Sequence, residues 1–254
     1  MESPRRQPSG AASEPQKRLG ALADRGFRAA VREMVEALAR RTLLAGSARD
    51  LGRVLKANAG GRMPAARLNG TGMSRQLAAE HAPVSGYLFR LAMANLPEDL
   101  SEFTFVDLGS GRGRIVCLAL LFNFRNVLGV EFAERLHREA TLNIHATLAT
   151  GRVRCDSITS VVANGTSLPV PNTPCVFYID EMPNGRKLHK LLNDIRVSYI
   201  RNPRTVMVIC YNPIYQSLLD ETDFLRLVRL RPLCRLVHLL ASPHDLRIYE
   251  TRPL

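Results

Sequence analysis

The stretch Phe105-Val-Asp-Leu-Gly-Ser-Gly-Arg-Gly-Arg114 places a short apolar segment directly before a glycine-rich turn. The apolar residues 103–108 predict a buried strand, and the apolar run 113–122 after the turn predicts a helix. Glycine allows the backbone to approach a bound molecule closely and to point its amides at it. The segment therefore predicts a strand, a ligand-binding turn and a helix in succession.

The sequence around this unit alternates between short apolar stretches and longer amphipathic ones. Helices are predicted over 85–96, 133–148 and 186–200, and strands over 126–131, 160–163, 175–179 and 205–211. Further strands are predicted over 224–230, 236–241 and 246–250, with no helix between them, which suggests an antiparallel edge. The predicted fold is α/β: a doubly wound, mostly parallel, seven-stranded Rossmann-like sheet with a helical N-terminal extension.

The 254-residue chain divides into three parts by composition. Residues 1–18 are rich in Pro, Ser, Gly and charge, which predicts a disordered tail. Apolar residues recur at three- and four-residue steps over 19–44, so residues 19–75 are predicted to form a helical extension. The sheet domain is expected to span 76–254.

The net charge of +12 is spread along the chain, with 16 basic and 9 acidic residues in 1–100. Aromatic residues are only 6% and Trp is absent, so an arginine-rich solvated surface is favoured over a nucleic-acid reader. No apolar run approaches the roughly 20 residues that span a bilayer, and no secretion signal opens the chain, so the protein is expected to be cytoplasmic. The five cysteines are isolated, which predicts no metal site, and the three that lie inside apolar runs (117, 175 and 210) are predicted to be buried thiols.

The spacing of the glycines excludes the usual dinucleotide fingerprint, because Arg114 stands where that pattern has its third glycine. Asp107 would repel a pyrophosphate and suits a cationic ligand. Glu131 ends the next predicted strand, and an acid there can accept hydrogen bonds from both ribose hydroxyls. Together these residues predict an adenosine ligand that has no phosphates and is cationic at its far end.

The block from Phe105 to Ala140 resembles the first two motifs of class I S-adenosylmethionine-dependent methyltransferases, particularly a bacterial group with F-V-D-L-G-S-G-K-G-R followed by G-V-E-F/L-S-x-E-L-H. The resemblance covers residues 81–215 and extends to Tyr211-Asn-Pro213, which matches a Y-x-N-P segment of that group. It implies that Gly109–Gly113 holds the methionine part of S-adenosylmethionine, Asp107 its amino end and Glu131 the ribose. The implied cofactor-binding set is Asp107, Leu108, Gly109, Ser110, Gly111, Gly113, Glu131, Phe132, Asn164 and Gly165.

Two further motifs of the resemblance leave alternatives open. Asn164-Gly165 stands where Asp-Ala is usual near the adenine; an ordinary turn, or a role for Asp156 instead, would also fit. Asp180 and Glu181 lie where the family faces the transferred methyl group, and they are the predicted catalytic residues. They could orient or deprotonate an amine, or cap the helix that begins near residue 186.

The predicted function is methyl transfer from S-adenosylmethionine to an unidentified acceptor, with a protein amine or a small molecule favoured over nucleic acid. No metal and no membrane span are expected. The alternative is a non-catalytic cofactor-binding or interaction module of the same fold, because the fourth motif departs from the family pattern.

Overall fold

A computed structural model describes residues 86–165, 167–180, 184–241 and 245–253 of the protein. The predicted tail (1–18), the predicted extension (19–75) and Glu181 lie outside these described residues.

Helices and strands alternate along the described chain. The first half contains α1 (Gly86–Met93), β1 (Thr104–Leu108), α2 (Arg114–Ala119), β2 (Asn126–Glu131), α3 (Glu134–Leu148) and β3 (Ser157–Val162). The second half contains β4 (Cys175–Asp180), α4 (Gly185–Arg201), β5 (Val206–Tyr211), α5 (Gln216–Asp220), β6 (Leu225–Leu227), α6 (Pro232–Ala241) and β7 (Leu246–Thr251).

The seven strands form one sheet in the order β3-β2-β1-β4-β5-β7-β6. Strands β1 to β5 pair in parallel, and β7 runs antiparallel to both β5 and β6. The predicted mostly parallel sheet and its antiparallel edge are therefore confirmed. The strand order reverses between β1 and β4, and in open α/β sheets ligands bind beyond the carboxyl ends of the strands at such a point.

The predicted strand over 236–241 is wrong, because these residues belong to helix α6. Pro232 opens the helix, where its missing N–H costs nothing. Leucines at 233, 236 and 240 then recur at helical spacing. This spacing indicates a helix, whereas the short apolar run over 236–241 alone had suggested a strand. Strand β6 is also shorter than predicted, and β3 begins three residues earlier.

The core has two parts, one on each face of the sheet. Alternate residues of β1 divide between them: Phe105 packs with α1 and α2, whereas Val106 packs with α4. Phe89 of α1 meets Phe105 and Tyr178 edge to ring at 5.9 Å between centroids. The three cysteines in apolar strands and helices (117, 175 and 210) are buried, as predicted. Helices on both faces leave the ends of the strands as the place for a site.

Candidate functional site

The glycine-rich turn after β1 is held in left-handed backbone conformations. Gly109, Gly111 and Gly113 have φ angles of 84°, 54° and 75°, a region that costs other residues roughly 1–2 kcal/mol each. The N–H groups of Gly109 and Ser110 both donate to the Val130 carbonyl at 2.9 Å. The turn is therefore fixed to β2 by its own backbone.

The glycines of the turn differ in what surrounds them. A Cβ atom added at Gly109 would meet nothing within 4 Å, and one at Gly111 would meet only the Gly109 carbonyl at 3.9 Å. A Cβ at Gly113 would lie 3.0 Å from the Cβ of Ala140 on α3. The first two glycines thus border open space where a molecule can approach the backbone, and the third is required for helix packing.

Glu131 at the end of β2 is buried and fixed by two backbone amides. Its Oε2 accepts from the Gly111 N–H and its Oε1 from the Ala133 N–H, both at 2.8 Å. Burial raises the pKa of this carboxyl group, and the backbone N–H groups of Ala133, Gly111 and Phe132 oppose that rise. Each carboxylate oxygen retains a further lone pair, so the same side chain can accept from two ligand hydroxyls.

Asp107 in β1 is a buried carboxylate with an unused acceptor. Its side chain receives a backbone hydrogen bond from Val116, but its Oδ2 has no partner among the described residues. Burial raises the pKa of Asp107 well above its usual value, and the negative charges of Asp180 and Glu131 raise it further. The nearby Ser110 Oγ is likewise buried without a partner. A cation or a strong hydrogen-bond donor would satisfy this arrangement.

Helix α3 supports the turn through a residue that the sequence did not single out. The Nδ2 of Asn143, which is buried, donates to the Arg112 carbonyl at 2.8 Å. Arg112 in turn forms an ion pair with Glu139 at 2.9 Å. The available signal was a polar residue within the buried stripe of α3, beside Ala140 and Ile144.

The carboxyl ends of β4 and β5 lie on the other side of the switch point. Asp180 ends β4, is exposed, and pairs in register with Tyr211 at the end of β5. Asn212 follows with a left-handed φ of 50°. Helix α4 is capped by Asn184, whose side chain accepts from the N–H groups of residues 186 and 187. The N-cap of this helix is therefore Asn184 and not Asp180.

Tyr178 of β4 is a buried residue near Asp107 and Asp180 that the sequence did not single out either. Burial raises the pKa of Tyr178 well above its usual value, and the charges of Asp180 and Asp107 add to the rise. The alternation of facing residues along β4 could have indicated its position. Tyr178 therefore stays a neutral phenol at the switch point.

The remaining predicted cofactor residues also lie at the carboxyl ends of the strands. Leu108 is buried, and Gly165 packs against it, with its ideal Cβ position 3.1 Å from Leu108 Cδ2. Phe132 follows Glu131 and is 51% exposed, and Asn164 is exposed. Asp156, the alternative to Asn164 for a role near the adenine, precedes β3 and so lies at the amino ends of the strands, away from the other residues. The described residues hold no group of three or more His, Cys, Asp or Glu suited to a metal ion.

Comparison with known proteins gives similarity of fold only. No protein-family model and no curated protein matches the chain. Similar solved structures include an rRNA methylase from Streptococcus thermophilus, with a TM-score of 0.44, 12% identity, and coverage of 65% of this chain and 94% of that one.

Two other similar structures carry different descriptions. One is a SAM-dependent methyltransferase from Leishmania major, with a TM-score of 0.43, 11% identity, and coverage of 80% of this chain and 82% of that one. The other is a precorrin 8W decarboxylase from Methanobacterium thermoautotrophicum, with a TM-score of 0.46, 15% identity, and coverage of 68% and 93%. Similarity of this size defines neither a family nor a substrate.

Proposed function

We propose that the site binds S-adenosylmethionine and that the protein transfers its methyl group to an amine. The observation that carries this proposal is the pair of buried acids on neighbouring parallel strands. Asp107 offers an unpartnered oxygen, and Glu131 offers free lone pairs beside the open face of the glycine turn. A ligand in which a cationic amino acid is joined to a ribose would give Asp107 an ammonium donor and Glu131 the ribose hydroxyl donors.

The donor set fits this cofactor residue by residue. Glu131 would hold the ribose hydroxyls, and the turn at Gly109 and Gly111 would admit the methionine part against its backbone. Asp107 would receive the ammonium group, which would provide the hydrogen-bond partner that its Oδ2 lacks among the described residues. Phe132 offers an exposed aromatic ring directly after Glu131, suited to stacking on adenine.

When bound, the cofactor supplies a methyl group carried on a positively charged sulfur, and this sulfur becomes part of a neutral thioether once the methyl group has been transferred. The protein's own contribution is to hold acceptor and donor in line. Asp180 is exposed at the end of β4 and close enough to Asp107 to raise its pKa. Its carboxylate would attract an ammonium acceptor and take up the proton that this acceptor must lose before it attacks.

The acidity of the site favours an amine on a protein or a small molecule over a nucleic acid. Asp107, Glu131 and Asp180 converge at the switch point of a chain whose net charge is +12. The negative charges of Glu131 and Asp180 repel phosphates and attract cations. Glu181, the other predicted catalytic residue, directly follows Asp180 in the sequence and lies outside the described residues.

The acceptor is identified by a transfer assay with tritiated methyl donor on a size-fractionated extract. We expect label in protein or in small-molecule fractions, and about tenfold slower labelling when Asp180→Asn replaces the wild-type protein. Label confined to nucleic acid would refute the amine acceptor. Cofactor binding without any transfer would favour the non-catalytic module.

A further inference from the structure

Helix α6 presents leucines to solvent and buries a histidine. Leu233, Leu236 and Leu239 are 70%, 53% and 64% exposed. Their spacing of three residues puts them on one side of the helix. His238 is buried instead, and its Nδ1 has no hydrogen-bond partner among the described residues. The outward side of this helix is therefore more apolar than a solvated helix face normally is.

The surroundings of these leucines are strongly basic. Residues 226–241 contain four arginines and no acidic residue. Arg229, Arg231 and Arg235 are exposed and form no ion pair within the described part of the chain, whereas Arg226 pairs with Glu250 at 2.7 Å. The apolar stripe thus lies within a patch of uncompensated positive charge.

We propose that α6 docks on a membrane surface that contains anionic lipids. Such a surface is apolar below its headgroups and negative at them, so it complements the leucines and the arginines together. None of the described helices is long and apolar enough to cross a bilayer, so the contact would be peripheral. Leu227 of β6 is a further exposed leucine in this part of the sequence, at 52%.

Other occupants complement the patch less well. A nucleic acid would neutralise the arginines but leave the leucines in water. Three leucines supply far less than the roughly 800 Å² per partner of a stable protein interface, which argues against a second copy. Residues 19–44 contain five arginines and three acidic residues, so this segment of the chain carries the same sign of charge as the patch.

The docked helix would lie near the carboxyl ends of the strands, where the site is. Strand β7 follows α6 and begins opposite Tyr211, at the carboxyl end of β5. The carbonyl of Asp245 accepts from the Asn212 N–H at 2.8 Å. Docking through α6 would therefore bring these strand ends close to the lipid headgroups.

Vesicle sedimentation with the full chain tests the proposal. We expect binding to phosphatidylcholine vesicles with about 30% phosphatidylglycerol, and at least tenfold weaker binding to phosphatidylcholine alone. The triple variant L233S/L236S/L239S should bind anionic vesicles about tenfold more weakly. The matched control L142S/V197S/I200S, which changes exposed apolar residues on α3 and α4, should bind like the wild type.

A fluorescent reporter keeps the proposal testable if the triple variant does not fold. The chain has no Trp, so Leu236→Trp adds a single reporter on the outward side of α6. Its emission should shift to shorter wavelength with anionic vesicles and stay unchanged with RNA or with neutral vesicles. Absence of wild-type binding, full binding by the leucine variant or an unshifted emission would each overturn the proposal.

Discussion

The two halves of the candidate site are built in different ways. At the ends of β1 and β2, Asp107 and Glu131 are buried, and the turn between them is fixed by backbone hydrogen bonds to Val130 and to the Glu131 carboxylate. At the ends of β4 and β5, Asp180 is exposed and Asn212 lies in a left-handed conformation. The first half is preorganised and can recognise one molecule closely, whereas Asp180 in the second half can be changed without disturbing the core. We infer that cofactor recognition belongs to the first half and acceptor choice to the second.

The largest effect is expected from Glu131→Ala. The change removes an acceptor that holds Gly111 and Ala133 and would hold both ribose hydroxyls. Two lost charge-assisted hydrogen bonds amount to about 3 kcal/mol, or at least ~100-fold in affinity. Calorimetric titration with S-adenosylhomocysteine measures this loss. Glu134→Ala is the control, because that exposed side chain pairs only with Arg138 in the described structure; equal losses in both variants would refute the assignment.

The packing of the turn is tested by Gly113→Ala against Gly151→Ala. Both glycines have a left-handed φ, 75° and 65° respectively, but only at Gly113 would the new Cβ meet another residue closely. We expect the free energy of unfolding to fall by about 1 kcal/mol at Gly151 and by about 2–3 kcal/mol at Gly113. Urea denaturation measures both values. A cost at Gly113 no larger than at Gly151 would show that α3 does not constrain the turn.

The division between the halves is tested by Asp180→Asn. This change removes a carboxylate from the acceptor half and keeps its shape, so turnover should fall about tenfold, while affinity for the cofactor stays within about threefold. Steady-state methyl transfer and calorimetry give the two numbers separately. Asp194→Asn on the outer side of α4, where Asp194 pairs with Lys190, should change neither. A loss confined to cofactor affinity would reverse the assignment of the halves.

The smallest effect is a proton linkage at Asp107. Its pKa is raised by burial and then by Asp180 and Glu131, so a bound cation should lower it and release a proton. Affinity should rise with pH through the pKa of the free site and then level off. Titrations in two buffers of different ionisation enthalpy measure the release. Asp107→Asn should abolish the release, and proton uptake by the wild type would contradict the account.

The sequence predicted the first half of the site better than the second. Strands β1, β2, β4 and β5 are short apolar runs that end at a turn or an acid, and the glycine spacing marks the turn, so local pattern sufficed there. Helix α6 was missed because a short apolar run is ambiguous between strand and helix. Asn143 was missed because its role depends on a contact with Arg112 that local pattern does not encode. The Asn184 cap is local and could have been predicted, because Asn is a preferred residue directly before a helix.

The central claim is that the acids at the ends of β1 and β2 recognise one cationic nucleoside. The most direct measurement is calorimetric titration of the full chain with S-adenosylmethionine, beside NAD as a nucleotide with a pyrophosphate. We predict saturable one-to-one binding of S-adenosylmethionine, none of NAD, and weaker binding of S-adenosylmethionine in Asp107→Asn and Glu131→Ala. Saturable binding of NAD, or no heat with S-adenosylmethionine, would contradict it.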